Sequence, residues 1–331
     1  MIFVRRLSLA MKGDACPRGL ALLGGLSILV FVGSSAHGRV PCGAAKPAAP
    51  FLFTPMDERG ATFSPDGNIV VYSVRIADYR QVLVVAERHG GHWGKPEVAP
   101  FSGVAFDGTP SFSPDGRRLF FASDRAPDGG SKDFDIWVVT RTTRGWGAPK
   151  PVGAPINTSA NETGPLLTRS GKLYFVSSRT GGGDIYVAEP LGDGFGEPHS
   201  VGSGVNSDYP EGGPAINPDE TIMVFASAGR PDQPLAKGNP YTRSDLYLSR
   251  RAGDRWGPAK RLGPAINTLA AETGPAFSPD GKWLYFVSEH GFATDQQVVL
   301  TPRTLHRGWA TALNGLGNVY KIGVCALKGA Q

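Results

Sequence analysis

Five copies of one phrase constrain what this chain can fold into more than any other feature of it. The fifth, GPAFSPDGKWLYFVS at 274–288, reads as two short strands around one tight turn. In Ser278-Pro279-Asp280-Gly281 the residue order suits a type I turn, with Pro presetting φ at the second corner and Gly relieving the last. The run from Trp283 to Val287 is apolar without alternation, which predicts a strand buried on both faces, as when sheets stack face to face.

The phrase recurs as ATFSPDGNIVVYS (61–73), PSFSPDGRRLFFAS (110–123), GPLLTRSGKLYFVS (164–177) and GPAINPDETIMVFAS (213–227). The second turn residue stands at 65, 114, 169, 218 and 279, giving steps of 49, 55, 49 and 61 residues. Periods of this size signal stacked β units or propeller blades, none able to bury its own faces alone. Two copies have altered turns, Thr168-Arg169-Ser170-Gly171 and Asn217-Pro218-Asp219-Glu220, while their strands persist.

A third strand follows in DIWVV (135–139), DIYVA (184–188) and DLYLS (245–249), with the weaker QVLVV (81–85) in the first copy. A hairpin around an aromatic and a glycine comes next: HWGKP from 92, GWGAP from 145, GFGEP from 194, RWGPA from 255. Four strands per repeat make the blade of a β-propeller, so an all-β, five-bladed ring of four-stranded antiparallel blades is expected, with six blades as the alternative.

These residues resemble the TolB-like propeller repeats, WD-repeat-like units marked by FSPDGK, LYFxS and DIYV, over roughly 58–322. No stretch before residue 58 resembles the α/β domain that TolB carries ahead of its propeller. The resemblance therefore implies a stand-alone propeller and does not extend to a role in the Tol system.

Arg5, Arg6, Lys12 and Arg18 precede an apolar run from Leu20 to Val32 and the small residues Gly33, Ser34, Ser35 and Ala36, the pattern of an export signal over 1–38. An uncleaved anchor is the alternative; the run is short of the roughly 20 apolar residues a spanning helix needs. The context Arg39-Val40-Pro41-Cys42 is a poor lipobox. Without these 38 residues the formal charge falls from +5 to about +2, and no basic stripe crosses the repeats, which argues against nucleic acid. A periplasmic or secreted monomer is expected, with no stable membrane span after cleavage. RVPCGAAKPAAP (39–50) reads as a linker, and 51–331 as the propeller.

Two alignments compete in the fifth blade. QVVLTPRTLHRGWATAL (297–313) can supply its third strand and hairpin, with Trp309 as the aromatic; alternatively GNVYKI (317–322) is the third strand and 291–316 an insert. The family resemblance favours the second, and the fourth strand is then expected from 51–55, closing the ring. Cys42 and Cys325 would flank that closure as a disulfide candidate in an oxidising compartment, free thiols being the other reading.

Each copy carries an acid five residues before its turn phrase: Glu58, Asp107, Glu162, Glu211 and Glu272. Ser73, Ser123, Ser177, Ser227 and Ser288 end the second strands; Arg75, Arg125 and Arg179 follow two residues on, Gly229-Arg230 and His290 standing there in the last two copies. Topology puts acid and base on one rim. Each acid either ties a loop to its blade through a basic partner, or the five form an acidic mouth for a cation, a sugar or a basic peptide. The serines lack the base and orienting group of a nucleophile, and no GxSxG elbow occurs in the exported part.

His89 and His92 read as a solvated hairpin rather than a metal pair, and Asp124, Asp128, Asp133 and Asp135 as an Asp/Gly-rich turn rather than a calcium loop. No catalytic residue, metal or cofactor is assigned. The inserts at 231–244 and 291–316, with Tyr241, Arg243, Phe292, His306 and Trp309, are the candidate recognition loops. The expected function is a non-catalytic binding or scaffold module of the bacterial envelope, taking a protein or glycan at the rim. A glycan-active hydrolase or lyase using rim carboxylates is the alternative.

Overall fold

The structure, a computed structural model, describes residues 42–76, 80–126, 133–234, 243–291, 303, 308 and 310–329. The expected export signal over 1–38, Asp128, Tyr241, Phe292, His306 and Trp309 lie outside the described residues.

Five antiparallel sheets follow one another along the chain as the blades of a β-propeller. From the axis outward, blade one comprises Asp57–Phe63, Ile69–Arg75, Gln81–His89 and Glu97–Val98. Blade two comprises Asp107–Phe112, Arg118–Ser123, Asp135–Thr142 and Lys150–Pro151; blade three Glu162–Leu167, Leu173–Ser177, Asp184–Ala188 and His199–Ser200. Blade four has Glu211–Ile216, Ile222–Ala228, Ser244–Ala252 and Lys260–Arg261. In blade five Glu272–Phe277, Trp283–Ser288 and Asn318–Gly323 are joined by Lys46–Pro47 from the other end of the chain.

The fifth blade thus takes its third strand from 318–323, the second of the two alignments. Its outer strand lies before the expected 51–55: Lys46 pairs with Lys321 and Pro47 with Tyr320, whereas Pro50–Leu52 forms a 3-10 turn. The stretch read as a linker is therefore partly blade. Its polar surface and prolines hid it, yet a proline is tolerated on an edge strand, where no ladder partner needs its missing N–H.

The second and third strands alternate their side chains between two neighbouring blades, so both faces are apolar. Five clusters of buried residues result, one per interface, as with Phe120, Leu173, Phe175 and Tyr186 between blades two and three. Phe175 is fully buried there, and removing such a side chain from water contributes about 2 kcal/mol.

The turn phrase works as its residues predict. Ser64 Oγ and the Asn68 N–H both donate to Asp66, and Ser113 and Ser278 hold Asp115 and Asp280 likewise, so hydrogen bonding within each turn keeps these carboxyls below the usual range.

Innermost strands meet tightly at mid-height. A Cβ on Gly164, whose φ is +57°, would lie 2.8 Å from the Gly213 Cα, and one on Gly274, at φ +54°, 3.1 Å from the Gly60 Cα. Only glycine accepts both the left-handed backbone and the contact. This waist divides the acid-bearing rim from a cavity that runs toward the turn phrases.

Candidate functional site: the acid-bearing rim

Innermost strands begin on the rim where second strands end, so acid and base meet within each blade. Asp107, Glu162, Glu211 and Glu272 lie opposite Ser123, Ser177, Ser227 and Ser288. In three blades an arginine completes the group: Arg125 Nη2 donates to Asp107 at 2.5 Å, Arg179 to Glu162 at 3.4 Å and Arg230 to Glu211 at 2.7 Å. Each guanidinium also donates to a carbonyl of the entering loop, that of Phe101, Ile156 or Val205. Each lies over two rings of its own blade, Arg230 at 4.5 Å from the Tyr247 centroid. Carboxylate, serine, carbonyl and aromatic faces fill the coordination of the cation and pin the entering loop.

Two further partners escaped the sequence reading. Thr158, Ser207 and Thr268 donate both backbone N–H and hydroxyl to the carboxylate four residues on. Asn157, Asn206 and Asn267, one residue earlier, bracket the N–H and C=O of Ile136, Ile185 and Leu246. The signal was present: Asn followed by Thr or Ser, four residues before the acid, recurs in three copies.

Because Arg179 holds a fully buried carboxylate, Arg179→Ala should destabilise the ring by about 1 to 3 kcal/mol in urea melts, and Glu162→Ala comparably. Unchanged melts for both variants would remove the clamp from the account.

Blades five and one depart from this arrangement. Blade five has His290 in place of the arginine, and Glu272, fully buried, takes hydrogen bonds from Thr268 and Ser288; burial pushes its carboxyl up to about 7. In blade one the expected Ser73 and Arg75 do not join Glu58. The partner opposite Glu58 is Val74, and Arg75 lies opposite Asp57, its Nε 3.4 Å from that carboxylate. The last residue of the inner strand pairs with the residue seven further on in every blade but the third, where the altered turn makes it six, and the serine stands eleven past that inner residue in blades two, four and five but ten in blades one and three. Ser73 is therefore one residue short of the serine position and turns to the other face, where it donates to the Arg59 carbonyl.

At blade one Val74, Val82 and Ile76 replace the Ser123, Asp135 and Arg125 of blade two. Glu58 is 1% exposed, accepts from the Thr54 hydroxyl, and leaves Oε2 buried without a hydrogen-bond partner. Burial raises its carboxyl to about 7, with the Thr54 bond opposing and Asp57 adding to the rise. Asp57 itself joins blades one and five: it accepts from Arg59 and from the Gly317 N–H, and Arg59 reaches Glu289 at 2.7 Å.

Of the remaining candidates, Asp135 lies opposite Ser123 at this site and the two histidines lie away from it. His89 and His92 pair across an exposed hairpin, and Asp124 accepts from the Phe106 N–H. Among the described residues no group of three His, Cys, Asp or Glu is placed to hold a metal, and no helix is long and apolar enough to cross a membrane.

No protein-family model matches the chain, and no curated protein does. Solved structures of similar fold include TolB from Acinetobacter baumannii, at 17% identity, covering 81% of this chain and 54% of that one, TM-score 0.47. A gluconolactonase from Xanthomonas campestris aligns at 13% identity over 76% of this chain and 81% of that one, TM-score 0.46. The arabinofuranosidase PaAbf62A from Podospora anserina aligns at 12% over 86% and 94%, TM-score 0.46.

Proposed function

We propose that the chain is an exported, non-catalytic propeller that binds a protein or glycan of the bacterial envelope on the acid-bearing rim. One observation carries this. Of the eight large apolar side chains exposed among the described residues, Met56, Ile76, Val104, Leu269, Leu313 and Leu316 stand in loops that enter innermost strands or leave second strands, all on this rim. Val104 is 95% exposed. Apolar side chains on one face of a rigid scaffold mark a binding surface, and the loop of Val104, pinned by Arg125 through the Phe101 carbonyl, has little freedom left to lose at binding. The carboxylates beneath are occupied by arginine, serine and threonine, which supports a structural duty for them.

The test uses mature protein and isolated envelope material. Val104→Asp and Met56→Asp should each lower retention about tenfold or more, the loss of roughly 1.4 kcal/mol per site, while Leu191→Asp on the opposite rim leaves it unchanged. Equal retention of all three would sink the assignment of the face.

The second reading, a glycan-active hydrolase or lyase, rests on Glu58 and Glu272, the two rim acids without arginine and with carboxyls near 7. Their burial, at 1% and 0% exposure, disfavours direct contact with a substrate.

A further inference from the structure

The two altered turns meet on the side of the ring opposite the acids, at the mouth of the central cavity. Glu220 occupies the place of the turn glycine and keeps a left-handed backbone at φ +55°, a conformation that costs a non-glycine residue of order 1 kcal/mol. Its carboxylate accepts from the Ser170 N–H at 2.8 Å and the Ser170 hydroxyl at 2.9 Å, in the altered turn of the neighbouring blade. Glu220 thereby fixes the turn that carries Arg169. At Arg169 the other four copies have Pro65, Pro114, Pro218 and Pro279. The guanidinium extends from blade three to blade five and donates to the Pro279 carbonyl at 3.3 Å, its one hydrogen bond among the described residues.

The cavity behind this bar is about 240 Å³ and narrows to the glycine waist. Prolines and apolar side chains dominate its wall, among them Pro110, Pro165, Phe63 and Leu166. Of the residues lining it only Arg169 and Glu220 are charged, and both Glu220 oxygens are engaged by Ser170. The aspartates of the intact turns are folded onto their own serines and do not line it. An apolar cavity of roughly 150 Å³ holds benzene, so this one accepts a body of about two fused rings.

We propose that the turn-side cavity is a binding site for a compact amphipathic anion: a flat apolar body of one or two rings inside the throat, and a carboxylate at the mouth on Arg169. The weak carbonyl bond of Arg169 is exchanged for a charge-assisted, two-pronged one. Departure from the repeat, backbone strain at Glu220 and an open cation over an apolar throat all fall at this one place. The site is separate from the rim above and does not depend on what binds there.

Calorimetry of the mature protein with 2-naphthoate and, separately, with the uncharged 2-naphthol tests the assignment. Saturable binding of 2-naphthoate at one per chain is expected. Arg169→Gln, on an exposed turn residue whose loss leaves the folded ring, should weaken 2-naphthoate about tenfold and leave 2-naphthol unaffected. Leu166→Trp, which fills the throat, should abolish both while circular dichroism still reports the propeller. Absence of saturable 2-naphthoate binding to the folded protein overturns the proposal, as does binding unchanged by Arg169→Gln.

Discussion

Replacing Cys42 or Cys325 by Ser should lower the stability of the ring by roughly 2 to 5 kcal/mol, the usual cost of losing a native bridge. The two are bonded, with Cα atoms 5.5 Å apart and 283 residues between them in sequence. Closing so long a loop removes about 5.6 kcal/mol of denatured-chain entropy in the chain-entropy view, just above that range. The local structure amplifies the effect. Among the described residues the closing strand pairs with blade five at Lys46–Lys321 and Pro47–Tyr320, with one further bond from the Ala48 N–H to the Val319 carbonyl. Without the bridge, that strand frays and blade five loses its edge. Thermal melts of both serine variants, and of wild type with and without dithiothreitol, measure this. Thiol titration of the denatured, unreduced protein should find none. Coincident melts, or two reactive thiols, would contradict the staple.

Stability should fall as pH rises from about 4.5 to 7, against the usual behaviour of carboxylates. Glu58 and Glu272 have an ordinary value of 4.5 and are pushed up to about 7 in the folded ring. Between these values the folded chain retains protons that the unfolded chain has released, so the slope of unfolding free energy with pH is negative there and levels off above 7. Each carboxyl contributes about 3 kcal/mol to the loss at most, at 1.36 kcal/mol per pH unit. Glu58→Gln keeps the shape and the Thr54 contact without the charge. It should be more stable than wild type at pH 8 and close to it at pH 4.5, and Glu58→Gln with Glu272→Gln should flatten the profile. Urea melts at pH 4.5, 6 and 8 decide. A Gln variant destabilised equally at all three would show that Oε2 has a partner that the buried geometry does not reveal. The contrast with Glu162 is informative: there Arg179 and Ser177 occupy the carboxylate, and the same substitution should destabilise.

Much of the ring was legible because its signals are local. The Ser-Pro-Asp-Gly turns, the apolar second strands and the Asp-Ile-Tyr third strands each need only neighbours within a dozen residues, and they recur. The same locality explains the misses. Lys46–Pro47 forms a strand only because Tyr320 and Lys321 are beside it, and nothing in a polar, proline-bearing stretch announces such a partner. Ser73 matched its column in sequence yet missed it in space, since it stands one residue nearer its turn than Ser123, Ser227 and Ser288 do, and one residue exchanges the two faces of a strand. The Asn-Thr and Asn-Ser pairs ahead of the acids carry no message by themselves, being ordinary loop residues until their carboxylate and backbone partners are in view.

Sequence alone pointed to the propeller with five blades as the first choice, to the rim on which acids and arginines gather, and to the residues able to bridge the termini, because repetition writes each blade's topology five times. Tertiary structure alone decided which acids are paired. Asp107, Glu162 and Glu211 look like Glu58 in the sequence, and only the strand pairing shows that Val74 stands opposite the last where the others face serine. Arg169 likewise reads as a blemish in a turn until blades three and five stand across one cavity. A residue's electrostatic state depends on what desolvates and faces it, and in a closed ring those groups come from strands far away in the chain.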